Sequence, residues 1–299
     1  MLSKANITKY SIVLIVLATV VFFRLLGHAP TKVTKASNPT NTTSAQVKAP
    51  VPEVTKNVDP TDTAVASDNK VVSEADVQAF ANKSELNNYV LKVIPSYDGG
   101  EYPYLLNNDY DNYNGLTENI NYQGSLIAKA NPDKSKSNHC VGLTYEVFFK
   151  AMQERNKEAG LPADNFNNMN INNMRDFMLT WYAAEGTPKS EGDQLAGAIV
   201  KYGLGRQITT LEDAKAGDFI DFSRTKSGHA AVFINWLRDG EGDIVGFKYW
   251  STQKSTNGIA YKKEYFSDNH EEALRGAVNR NQLYIGRVGP IASYRSFKE

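Results

Sequence analysis

The feature that most limits what this chain can fold into is a change of periodicity near Gly203. Before it, apolar residues recur at helical spacing. Leu143, Val147 and Ala151 share one face of a helix predicted from Cys140 to about Arg155. Met174, Phe177, Met178 and Trp181 mark a second over 168–184, and Leu195 and Ile199 a third over 190–202, with Gly203 as its stop. After Gly203 the apolar residues come in short runs bounded by turn residues, which is strand patterning. The predicted strands are Asp218 to Phe222, His229 to Leu237, Ile244 to Thr252, Ile259 to Tyr265 and Leu283 to Val288. Asp239-Gly240 and Asn257-Gly258 are hairpin turn signals. Helices followed by antiparallel strands specify an α+β fold.

The start of the domain is also helical. Ser73-Glu74-Ala75-Asp76 has the form of a capped helix start, with Val77 and Phe80 at helical spacing. Ser84 is expected to cap a second helix carrying Leu86, Tyr89, Val90 and Val93, which Pro95 ends. The stretch from Tyr97 to Asn138 is rich in Gly, Asn, Tyr and Asp and reads as loop. Within it, Asn107-x-Asp109-x-Asp111 with Glu118 is a poor calcium loop, because Asn stands first and Asn112 takes the glycine position. A polar loop is the expectation there, with no metal and no cofactor.

The N-terminus is a different kind of chain. Residues 11–23 are apolar apart from Ser11 and Thr19, and Leu25 to Gly27 extend the run past Arg24. A membrane-crossing helix needs about 20 apolar residues, which the run reaches if Arg24 snorkels. A cleaved signal peptide is the alternative, but Pro30 follows the small-residue site Gly27-His28-Ala29 and makes a poor cleavage context. The expected organisation is a short tail over 1–9, a signal anchor over 10–27, a low-complexity tether over 28–72 and one domain over 73–299. The tether is rich in Pro, Thr, Ser, Lys, Asn and Ala and has too little apolar area to offset the entropy of ordering. This predicts a single-pass membrane protein whose domain lies outside the cytoplasm. The 33 basic and 33 acidic side chains balance, so no field favours nucleic acid.

Cys140 is the one cysteine, so the domain carries no internal disulfide. It follows the polar run Ser137-Asn138-His139 and opens the predicted helix, where the dipole favours a thiolate. A buried structural cysteine is the more common fate of a lone thiol; its position and the downstream histidine favour a nucleophile. His229, after Ser227-Gly228 at a strand start, is the candidate general base. His139 adjoins the thiol but diverges from it, and His28 and His270 lie elsewhere. The next strand ends in Ser251-Thr252-Gln253, which a hairpin returns beside His229. Gln253 is the preferred orienting acceptor, with Ser251 and Asn257 as alternatives.

Two blocks resemble the NlpC-type cell-wall peptidases, a papain-like superfamily. His139-Cys140-Val141-Gly142-Leu143 is similar to their Asp-Cys-Ser-Gly-Leu motif. Ala216-Gly217-Asp218-Phe219-Ile220 and Gly228-His229-Ala230-Ala231-Val232 are similar to their Pro-Gly-Asp-Leu and Gly-His-Val-Gly-Ile strands. His139 and Val141 depart from the first motif, the cysteine-to-histidine interval is long enough for an inserted helix near Met174 to Tyr182, and the third position is not the usual histidine. The resemblance implies a nucleophile helix packed on an antiparallel sheet, with N-terminal helices and a helical insertion. It implies that Cys140 attacks an amide, His229 shuttles the proton, Gln253 holds the imidazole, and the Cys140 N–H stabilises the oxyanion. It places Tyr122 as a lining residue and peptidoglycan stem peptides, or another amide, as substrate. A thiol acyltransferase or amidase acting on a non-wall amide, and a catalytically inactive binding domain, are the other readings.

Overall fold

The computed structural model describes residues 73–106, 109–184 and 194–297, all within the compact unit Ser67–Glu299. The predicted anchor and tether lie outside the described residues. Among the described residues no helix is long and apolar enough to cross a membrane.

Among the described residues five α-helices precede or flank a six-stranded antiparallel sheet, and the α+β expectation holds. Helix α1 (Glu74–Lys83) starts with the capping box read from the sequence: Ser73 and Asp76 each accept from the other's backbone N–H. Helix α2 (Asn87–Val93) has no side-chain cap, because Ser84 ends α1 instead and donates its hydroxyl back to the Phe80 carbonyl. A short hairpin, β1 (Ile120–Tyr122) with β2 (Ser125–Ala128), lies inside the stretch read as loop. Helix α3 (Cys140–Glu158) is the long central helix. Helix α4 (Ile171–Trp181) and helix α5 (Gln194–Lys201) follow it.

The sheet runs β3-β8-β4-β5-β6-β7, with β3 (Gly205–Ile208), β4 (Phe219–Arg224), β5 (Ser227–Arg238), β6 (Ile244–Gln253), β7 (Gly258–Tyr265) and β8 (Val278–Val288). β3 was not predicted; its four residues are too short to show alternation. β7 and β3 are the edges.

Both faces of the sheet are covered, which decides the site. On one face Phe219, Ala230, Val232 and Trp250 join the side chains of α2–α5 in the larger core. Helix α3 lies against β5 and β6, and Phe148 and Trp181 meet Phe219 at ring-centroid distances of 6.1 and 5.1 Å. On the other face Ile220, Phe222, Ala231, Phe233, Phe247 and Tyr249 form a second core, closed by Leu211, Phe266 and Val278. Alternation along a strand assigns neighbouring residues to opposite cores.

Candidate active site

Cys140 is the first residue of α3 and is half-buried. The cap before it is His139, whose extended backbone lets Nδ1 accept from the Gly142 N–H at 3.3 Å. That bond needs a neutral ring, and burial holds the imidazole down at about 4. Tyr110, Tyr113 and Tyr182 pack edge-on around it. His139 therefore fixes the helix start and does not serve the thiol.

The sulfur faces the sheet at Ala230. The β5–β6 ladder extends to Val232↔Trp250 and no further, while β6 continues to Gln253 against β7. The backbone N–H groups of Ala230, which lies outside that ladder, of Val141 and of Cys140 itself are close enough to favour the thiolate. The Ala230 carbonyl accepts from Ser251 Oγ at 2.7 Å. Burial pushes the thiol above its ordinary value and outweighs these three donors, and the nearby Asp221 carboxylate raises it further. Asp221 sits directly across from Ala230 on β4, and burial lifts its carboxyl to about 7. Tyr104 borders the same space; burial, then the thiol, pushes its hydroxyl up.

His229 is one residue from Ala230 and so points through the opposite face. Its ring lies 5.4 Å from Phe222 and 5.6 Å from Tyr249, both in the second core. Burial, with Arg224 and Lys262 nearby, holds it neutral, down at about 3, and Nε2 is buried without a hydrogen-bond partner. The structure therefore does not bring His229 to Cys140. The reason is the period of two: the sequence places the histidine at a strand start but does not say which of two buried faces it takes.

Gln253 lies on the His229 side but is engaged elsewhere. Its Oε1 accepts from Tyr249 Oη at 3.0 Å and Arg224 Nη2 at 3.4 Å, and its Nε2 donates to Ser255. Ser251 serves the Ala230 carbonyl, and Asn257 takes the left-handed turn position (φ 48°) before β7. Tyr122 is not a lining residue. Its ring packs on Phe166 and on Phe149, the latter more than two helical turns along α3 from Cys140, and its hydroxyl donates to the Met169 carbonyl.

The thiol's neighbours are thus Asp221, Ala230 and Tyr104, none of which the sequence reading selected. Thr252 shares this face, one strand over; its Oγ1 is buried with no partner, as are His139 Nε2 and Asn138 Oδ1 beside the cysteine. Period-two alternation from Phe219 or Trp250 would have flagged Asp221 and Thr252, had the facing been known. Among the described residues no three His, Cys, Asp or Glu side chains are grouped to hold a metal.

Comparison with known proteins adds no relative: no family model, no curated protein and no solved structure matches this chain.

Proposed function

We propose that this chain is an NlpC-type, papain-like domain that binds an amide-bearing cell-wall polymer instead of hydrolysing it. Residues 10–27 would hold it to the membrane, outside the cytoplasm, with residues 28–72 as tether. The observation that supports this reading is Ala230 at the place opposite Cys140 where hydrolysis needs an imidazole. A raised thiol pKa and a neutral histidine on the far face supply neither the thiolate nor the proton shuttle of a Cys-His pair.

The test is incubation of the chain with purified peptidoglycan. Co-sedimentation without release of muropeptides is expected, and alkylation of Cys140 by iodoacetamide should follow an apparent pKa above that of a free thiol. Release of peptide products that Cys140→Ala abolishes would overturn the reading.

One observation favours a second reading, a thiol amidase or acyltransferase with a rewired base. Backbone N–H groups of Ala230 and Val141 favour the thiolate, and a carboxyl that titrates near neutrality lies beside them. In that enzyme Asp221 takes the thiol proton as sulfur attacks the carbonyl, then returns it to the leaving amine. Turnover would be lost in Asp221→Asn and kept in His229→Gln.

A further inference from the structure

A cavity of about 640 Å³ opens beside β7, on the face of the sheet that carries Cys140. That volume is in the range of about 300–1,000 Å³ found for small-ligand sites. Its floor is Trp250, with Tyr97 packed on it at 5.4 Å. Tyr97 is fixed in place, since its hydroxyl donates to the buried Glu146 carboxylate at 2.8 Å. One wall is the loop 97–103 with Tyr102; the other is the start of β7, where Tyr261 is 49% exposed.

The walls are held close by a glycine. A Cβ on Gly258 would sit 2.5 Å from the Tyr102 carbonyl oxygen, and the residue has φ +141°. A side chain at that position would push the loop away from β7. Trp250 and Tyr261 are directly paired across β6 and β7, and Thr252, whose buried Oγ1 has no partner, is paired with Ile259 at the cavity's edge.

Charge identifies the kind of ligand. Two carboxylates, Asp98 and Glu101, line the cavity. Two ammonium groups stand over its tyrosines: Lys136 at 5.7 Å from the Tyr102 ring and Lys248 at 5.0 Å from the Tyr261 ring. Each lysine covers one face of its ring, Tyr261 remains 49% exposed, and the four charges offset one another. The cavity therefore selects against a strongly charged ligand and suits a neutral one rich in hydroxyls. Aromatic walls offer negative faces to the slightly positive C–H face of a sugar ring, while carboxylates accept hydrogen bonds from its hydroxyls.

We infer that this cavity is a subsite for a neutral oligosaccharide, stacked on Tyr261 and hydrogen-bonded by Asp98 and Glu101. The inference deepens the binding reading and rests on it for the role of the site, since a polymer bound here would pass the cysteine face without being cut.

The test is calorimetric titration of the full chain with triacetylchitotriose, cellotriose and trilysine. At least one trisaccharide is expected to bind with 1:1 stoichiometry, and trilysine is not. Tyr261→Ala should weaken the saccharide at least tenfold, as should Asp98→Asn combined with Glu101→Gln. These side chains are at the rim, so the variants should keep the wild-type circular dichroism. No saccharide binding, tighter binding of trilysine, or wild-type affinity in Tyr261→Ala would each overturn the inference. Cysteine-dependent release of muropeptides alongside intact saccharide binding would instead overturn only the binding reading.

Discussion

The half-buried Asp221 and the buried His139 and His229 are titratable groups whose displaced pKa values tie the site to stability. Both imidazoles are held neutral by burial, at about 4 and about 3 against 6.5 for the free group. A base with a lowered pKa stabilises the fold fully above 6.5, and that stability is lost as pH falls toward the folded value. Asp221 has the opposite sign. Its carboxyl is raised from 3.8 to about 7, so its contribution is present at low pH and lost as pH rises through 7. Between about pH 4.5 and 6 the unfolded chain holds both imidazole protons and the folded chain holds the Asp221 proton, a net difference of one. These three groups should give a stability that rises by about 1.4 kcal/mol per pH unit across that window. His229→Gln should remove that slope relative to wild type, and Asp221→Asn should about double it. Urea unfolding at several pH values reads the slopes; identical slopes in all three chains would refute these placements. The same residues show where the site was hidden from the sequence. His229 and Ala230 sit in an apolar run buried on both faces, so no polar alternation says which of them looks at the cysteine.

At the scale of elements, the docking of α3 sets the site. Its first turn lies against the backbone at Gly115, a bend with φ 77°. A Cβ on Gly142 would fall 2.2 Å from the Gly115 carbonyl oxygen, and one on Gly115 would fall 2.1 Å from His139 Nε2. Both obstacles are held in place, the first by backbone and the second by a ring caged by three tyrosines. Gly142→Ala should therefore destabilise by about 1–3 kcal/mol through overpacking, although alanine is the better helix former by about 1 kcal/mol. Chemical denaturation measures this, and a stabilised Gly142→Ala would contradict the close approach. Helix α3 was legible because its apolar face repeats over several turns and a polar run precedes it. The β1–β2 hairpin was not, since its seven residues lie among Asn, Tyr and Gly and its turn is made by Gln123 and Gly124, both at positive φ. The Ser84 cap was misread because a hydroxyl near two helices can close the first or open the second, and only the backbone path decides.

At the scale of the molecule, the helical half and the strand half are tied by an ion pair that also explains the Gly-Asp motif before β4. Asp218 was part of a block that resembled a peptidase strand, and its work here is structural. Its carboxylate accepts from Arg287 Nε at 2.8 Å and Nη2 at 2.7 Å, from Asn87 Nδ2 at 2.8 Å and from the Lys215 N–H at 2.8 Å. Arg287 on β8 also donates to the Asp213 carbonyl and lies 3.5 Å from Glu85. The side chains of Asp218 and Arg287 are 0% and 2% exposed. One pair thus ties β4, β8, α2 and the loop before β4, which spans the helical half and the strand half read separately from the sequence. That the halves would pack was legible from their apolar faces; the lock was not, because Asp218 lies 69 residues from Arg287 and 131 from Asn87, and the three share no pattern. Removing one member strands a buried charge, so Arg287→Met should cost about 3–5 kcal/mol. Replacing both, as Asp218→Asn with Arg287→Met, should cost less than the sum of the single changes, because no uncompensated charge remains. A double-mutant cycle by urea unfolding reads the coupling, expected above about 1 kcal/mol for a contact this direct. Additive costs would mean that each side chain is held by its other partners and that the two halves are joined by packing alone.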